Sequence, residues 1–188
     1  MAKGKLIIIS APSGCGKSTI INELLKENLN LEFSISATTR EPRRGETDGV
    51  NYYFISLPDF KKAIENDELV EYEEVYPGRY YGTFKKEIDR IRNTGRNVIL
   101  DIDVKGGVNV KKQFAEDALS IFIKPPSIET LRHRLLSRGT DTVDAITQRV
   151  DKAGYEISFS EQFDKVIIND VLKDAILQTG NVIKEFIR

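Results

Sequence analysis

Leu6-Ile7-Ile8-Ile9-Ser10-Ala11-Pro12-Ser13-Gly14-Cys15-Gly16-Lys17-Ser18-Thr19 carries the strongest local signal in the chain. The four leading apolar residues read as a buried strand. Ile20, Ile21, Leu24 and Leu25, just beyond the stretch, mark the apolar face of a helix. Between strand and helix lies Gly14-Cys15-Gly16-Lys17-Ser18, the setting a phosphate-cradling loop requires. Glycines let consecutive backbone N–H groups turn inward, and the helix N-terminus adds unpaired donors and the positive end of a dipole. Lys17 is then placed to reach β- and γ-phosphates, and the Ser18 hydroxyl to hold Mg²⁺. Ala11 stands where the strict motif begins with glycine. Pro12 pushes its predecessor towards extended backbone, where alanine is comfortable, so the departure is expected to cost little. Cys15 is expected to be a small filler residue, although a helix N-terminus lowers a thiol pKa and would favour reactivity there.

Further apolar runs at Val98–Leu100, Ser120–Ile123 and Val166–Ile168 read as buried strands, with helical patterns between or beside them. Ile176, Val182, Ile183 and Phe186 mark a C-terminal helical region. Buried strands alternating with helices predict an α/β core, a mainly parallel sheet covered on both faces. Asn97-Val98-Ile99-Leu100-Asp101-Ile102-Asp103 ends in two carboxylates two residues apart. Period two places both on one face, towards the carboxyl edge where such sheets bind ligands. Asp101 suits an outer-shell contact to magnesium through water; on its own the pair reads equally as strand-end acids capping a turn.

Two stretches break the rhythm. Residues 33–85 are rich in Thr, Tyr, Arg and Gly, with alternating segments such as Tyr52-Tyr53-Phe54-Ile55, and predict a small mixed β insertion. Residues 125–160 are strongly helical in pattern and carry Arg132, Arg134, Arg138 and Arg149. The expected organisation is a core of residues 1–32, 86–124 and 161–188 with two insertions. The 188 residues suit that arrangement, and 40% hydrophobic with 30% charged residues allows a real core beneath a soluble surface. A net charge of −1 argues against nonspecific nucleic-acid or membrane binding driven by global charge, so any anion site is expected to be local. Leu6–Ile9 is too short for a signal or transmembrane segment. One cysteine excludes an intramolecular disulfide, and a single histidine argues against a zinc site. The expectation is a cytoplasmic protein of undetermined oligomeric state.

The insertion reads Phe33-Ser34-Ile35-Ser36-Ala37-Thr38-Thr39-Arg40-Glu41-Pro42-Arg43-Arg44-Gly45-Glu46, then Gly49-Val50-Asn51-Tyr52-Tyr53-Phe54, and later Tyr80-Tyr81-Gly82-Thr83 with Glu71 between. This closely resembles the guanylate kinase signature, and the resemblance extends through Asp101-Ile102-Asp103, Arg134 to Gly139 and Asn169-Asp170. It implies a nucleoside monophosphate kinase of the phosphate-loop superfamily that moves the γ-phosphoryl of ATP to GMP, and to dGMP, with Mg²⁺. The matching Arg40, Arg43, Tyr52 and Tyr81 would bind the GMP phosphate, for which guanidinium forks and phenols are suited. The matching Ser36, Glu71, Thr83 and Asp103 would surround guanine. Guanine presents N1–H and an N2 amino group, both donors to a carboxylate; adenine would leave Glu71 unpaired. Ala11, Pro12, Ser13, Gly14, Cys15, Gly16, Lys17, Ser18 and Thr19 would hold ATP, with Asn169 near its adenine. Residues 125–160 resemble the family's lid, which implies catalytic roles for Arg134, Arg138 and Arg149 beside Lys17. Lys105 stands where many relatives have glutamine.

Two other readings share parts of this pattern. A noncatalytic interaction domain of the same fold would bind phosphorylated peptides; the intact Gly16-Lys17-Ser18, Asp101 and the lid arginines oppose it. A kinase for another phosphorylated small molecule would use the same core, and Glu71 with Asp103 argue for guanine instead.

Overall fold

The computed structural model describes residues 3–137 and 142–188. In chain order its first elements are β1 (Leu6–Ser10), α1 (Lys17–Leu24), β2 (Leu31–Phe33), β3 (Ala37–Thr38), β4 (Tyr53–Phe54), α2 (Leu57–Glu65), β5 (Leu69–Tyr76) and β6 (Arg79–Phe84). There follow α3 (Lys85–Arg92), β7 (Asn97–Asp101), α4 (Val104–Phe114), β8 (Ala118–Lys124), α5 (Ile128–Ser137), α6 (Val143–Ile157), β9 (Lys165–Ile168) and α7 (Leu172–Phe186). The chain divides into two compact units, Met1–Lys5 with Glu32–Val98, and Leu6–Leu31 with Ile99–Arg188. Among the described residues no helix is long and apolar enough to cross a membrane.

The larger sheet has five strands in the order β2-β7-β1-β8-β9. β1 pairs in parallel with β8, and β8 with β9. Every residue of β1 is buried, as expected of a strand covered on both faces. Each fully buried Ile there is worth roughly 1.5–3 kcal/mol relative to exposure. α1 turns Ile20, Ile21 and Leu24 inward, the face its periodicity predicts. α4 and the strand below it meet through Val104, Val108, Phe122 and Phe163. Gly107 is required in that contact, because a Cβ would stand 2.8 Å from the Ser10 hydroxyl oxygen. The expected strands at Leu6–Ile9, Val98–Leu100, Ser120–Ile123 and Val166–Ile168 and the C-terminal helix are all present, but β9, expected to be buried, lies at the sheet edge and buries only Ile167, with Val166 and Ile168 exposed.

The first unit holds a four-stranded sheet ordered β4-β3-β6-β5. It is mixed: β3 runs parallel to β4 and antiparallel to β6, and β5 pairs antiparallel with β6. Its own small core gathers Ala37, Phe60, Ala63, Leu69 and Phe84. Gly82 lets the backbone and the Phe60 ring pack closely there; a Cβ would lie 2.7 Å from the Glu71 carbonyl oxygen. The mixed β insertion is therefore present, and it contains a helix that the sequence reading did not separate. α2 starts at Ser56, whose hydroxyl accepts from the Asp59 N–H, with a proline in its first turn.

Candidate functional site

In the second unit the loop between β1 and α1 is shaped by two glycines in left-handed backbone, Gly14 at φ 93° and Gly16 at φ 84°. Gly16 is the residue that opens α1. A side chain would strain both positions, and both are also crowded. A Cβ on Gly14 would come 2.8 Å from Leu135 of α5, and one on Gly16 would come 2.7 Å from the Asn169 amide nitrogen. The loop closes on itself through the Cys15 N–H donating to the Pro12 carbonyl at 3.2 Å. Cys15 is 1% exposed, a packed filler whose thiol is withdrawn from solvent.

Around this loop the chain places polar groups from three distant segments. Lys17 is ion-paired with Asp101 at the end of β7. The Asn169 amide donates to the Cys15 carbonyl at 2.7 Å, while its own Oδ1 is buried without a hydrogen-bond partner. Arg134 of α5 donates to the Asn169 carbonyl at 2.8 Å and to the Asp170 carbonyl at 3.0 Å. Asp103 caps α4, accepting from the N–H groups of Lys105 and Gly106 at 2.7 and 3.1 Å. Ser13, Ser18 and Thr19 are exposed on the loop and first turn, and Ala11 and Pro12 are buried beneath. Arg149 is half-buried on α6. Arg138 lies outside the described residues.

Sequence reading passed over one acid of this unit. Glu156, near the end of α6, is 8% exposed. Burial pushes its carboxyl above the usual range, against the opposing pull of Lys152 and Lys17, with Asp103 adding to the rise. A glutamate in a helical run of mixed polar residues carries no signal of burial, so only the fold reveals it.

The first unit builds a different kind of site. Arg40 lies over the Tyr52 ring, its guanidinium carbon 4.9 Å from the centroid, and donates from Nε to the Tyr81 hydroxyl at 3.2 Å. Tyr52 and Tyr81 meet edge to face at 5.9 Å. Three of the four expected phosphate ligands are thus one cluster, and the fourth, Arg43, is exposed on the adjoining turn. On β6, Tyr81 and Thr83 share a face by alternation, and Thr83 sits opposite Glu71 of β5. The buried Thr83 hydroxyl donates to Glu71 Oε1 at 2.7 Å. Ser36 adjoins β3, its carbonyl accepting from the Tyr53 N–H.

Both clusters lie in sequence that other proteins share. A sequence model of the guanylate kinase family matches residues 3–186. The chain belongs to the guanylate kinase family. A guanylate kinase of Bacteroides thetaiotaomicron is 58% identical over 184 residues, covering 98% of this chain and 90% of that one. One of Porphyromonas gingivalis is 54% identical over 184 residues, covering 97% and 98%. The crystal structure of the guanylate kinase from Anaplasma phagocytophilum superposes with a TM-score of 0.78 at 32% identity, over 100% of this chain and 88% of that one. Guanylate kinases are nucleoside monophosphate kinases, so the parallel core and the mixed sheet have the fold that family membership calls for.

The guanylate kinase signature also holds an acid to which sequence reading gave no role. Glu46 grips Arg40 at both Nη atoms, at 2.6 and 2.7 Å. Its carboxyl is held far below the usual range, at about 2, by the Arg40 hydrogen bonds first and then by the Arg43 N–H. The available signal was its place six residues after Arg40 in a turn of alternating charge, which an ordinary solvated loop displays equally.

Proposed function

We propose that the chain catalyses reversible transfer of the γ-phosphoryl group of ATP to GMP, and to dGMP, as a cytoplasmic enzyme of purine nucleotide metabolism acting on small molecules alone. The observation that carries the acceptor half is the cluster of Arg40, Tyr52 and Tyr81, gathered at the sheet that holds the Glu71–Thr83 pair. It offers a cationic and phenolic site for a phosphate dianion and, two residues along β6, an acceptor for a base. Arg40, Arg43, Tyr52 and Tyr81 are assigned to the phosphate, and Ser36, Glu71, Thr83 and Asp103 to guanine.

The donor half rests on the glycine loop. Its backbone N–H groups and Lys17 are assigned to the triphosphate, with Ala11 through Thr19 as the binding segment. Asn169 Oδ1 is a buried acceptor without a partner, a costly state unless a donor arrives; the exocyclic amino group of adenine is such a donor. The Ser18 hydroxyl and the Asp101 carboxylate are hard oxygen donors beside Lys17, which suits magnesium bound mainly through phosphate oxygens and water. Bound there, Mg²⁺ would supply charge neutralisation on the transferring phosphates.

The residues' own work is then positioning and electrostatics. The GMP phosphate oxygen is the nucleophile, so no protein nucleophile is required. Lys17 stabilises charge on the β- and γ-phosphates. Arg134, Arg138 and Arg149 of the 125–160 lid are assigned to the transferring group and to exclusion of water that would hydrolyse ATP. Residues 33–85 are the proposed GMP region. The testing experiment measures ADP formed from ATP with GMP, dGMP, AMP, CMP or UMP as acceptor. Rapid turnover with the guanine nucleotides alone is expected; a preference for any other acceptor would overturn the assignment.

A further inference from the structure

The Arg40 guanidinium has five N–H donors in a fixed planar fork, and the structure accounts for four of them. Nη1 gives one hydrogen to Glu46 Oε2 at 2.6 Å and its other to the Glu41 carbonyl at 3.0 Å. Nη2 gives one hydrogen to Glu46 Oε1 at 2.7 Å, and Nε gives its only hydrogen to the Tyr81 hydroxyl at 3.2 Å. Glu46 therefore takes the end of the fork, between the two Nη atoms. By covalent geometry the remaining Nη2 hydrogen points along the other edge, the one shared with Nε. The Tyr81 hydroxyl, accepting from Nε, keeps its own hydrogen to donate on that same edge.

Glu46 is itself fixed. One of its oxygens also accepts from the Arg43 N–H at 2.8 Å, and the paired side chains are only 8% exposed at Arg40 and 19% at Glu46. The Tyr52 and Phe54 rings lie against the guanidinium, at 4.9 and 5.5 Å from its carbon, and restrict its tilt. An unanchored arginine presents either bidentate edge to an anion and loses rotamer freedom when it does so.

We infer that Glu46 is a positioning residue for the acceptor phosphate: it occupies the Nη1/Nη2 end of Arg40 so that the remaining Nη2 hydrogen, together with the Tyr81 hydroxyl held beside it by Nε, is what the free edge offers to GMP. This rests on the assignment of the cluster to the GMP phosphate made above. Glu46 does not touch substrate; it acts through Arg40. An anchored, preorganised arginine binds phosphate at lower entropic cost and in one orientation.

The test compares GMP with guanosine, which has the base and sugar but no phosphate. In Glu46→Gln one oxygen is replaced by an amide that sets donor against donor at the fork. The KM for GMP should rise by roughly 10- to 100-fold, as for loss of a hydrogen bond to a charged partner, while kcat falls less and the KM for ATP stays near wild type. Competitive inhibition by guanosine should be unchanged. The ratio of GMP to guanosine affinity within one variant does not depend on the fraction folded, so it decides the matter even if the variant is destabilised. Adding Glu46→Gln to Arg40→Lys should cost little more than Arg40→Lys alone. An unchanged KM for GMP, an equal loss for guanosine, or fully additive losses in the double variant would each overturn the positioning role. Wild-type protein that fails to phosphorylate GMP would instead overturn the assigned function.

Discussion

The two units present their polar groups by different means. The loop of the second unit is built from backbone, with two glycines at positive φ and a helix start, and needs Lys17 as its one long cationic side chain. The cluster of the first unit is built from side chains that reach each other across strands: Arg40 after β3, Tyr52 before β4, Tyr81 on β6. A backbone site is tied to a contiguous stretch, so spacing alone identifies it. A side-chain site is scattered over forty residues and exists only once the sheet has formed. In the proposed function the first would hold a polyphosphate whatever its base, and the second would select one nucleotide.

The sharpest way to break this division is to remove one charged group from each side. Lys17→Ala should lower kcat by at least ~10³-fold with the unfolding midpoint little changed, because the loop's shape does not depend on that side chain. A loss below tenfold would mean that backbone groups suffice. Glu71→Gln in the first unit should lower kcat/KM for GMP by about 100-fold through the lost acceptor and the disturbed Thr83 bond, leaving the KM for ATP near wild type. Equal losses for both substrates would dissolve the distinction between the units.

Gly16→Ala tests the backbone side directly. Positive φ should cost about 1–2 kcal/mol in unfolding free energy, and displacement of Asn169 should raise the KM for ATP but not for GMP. Glu46 sharpens the side-chain side through pH. Its folded pKa of about 2 lies below the ordinary 4.5, so the pair's contribution is complete above about 4.5 and is lost only as pH falls through about 2. Between pH 5 and 9 the KM for GMP should therefore follow only the phosphate's own second ionisation, near 6. A step near pH 4.5 in stability-corrected binding would show that Glu46 is not ion-paired in solution.

The same contrast explains what was legible beforehand. Buried parallel strands are continuous apolar runs, so β1, β7 and β8 could be read directly, as could the apolar run of the largely exposed β9, and the loop followed from its flanks. α2 was hidden because only Phe60 and Ala63 turn inward, too few to set a period, although Ser56 and Pro58 mark its start. The acceptor residues were named through resemblance, since arginine, tyrosine and glutamate in a polar stretch specify no partners by themselves. Glu46 and Glu156 were missed for that reason: the first looks like a loop acid, and the second is buried only by the packing of α6. Asp103 carries a helix-capping duty that spacing could not distinguish from a ligand's.

The proposed enzyme combines a general phosphate loop with a guanine-selective acceptor site, and acceptor selectivity tests that combination most directly. With ATP saturating, kcat/KM for GMP should exceed that for AMP by roughly 10⁴ or more, because adenine brings the Glu71 carboxylate a ring acceptor and no amino group where guanine brings two donors. Comparable turnover of AMP, or none of GMP, would contradict it.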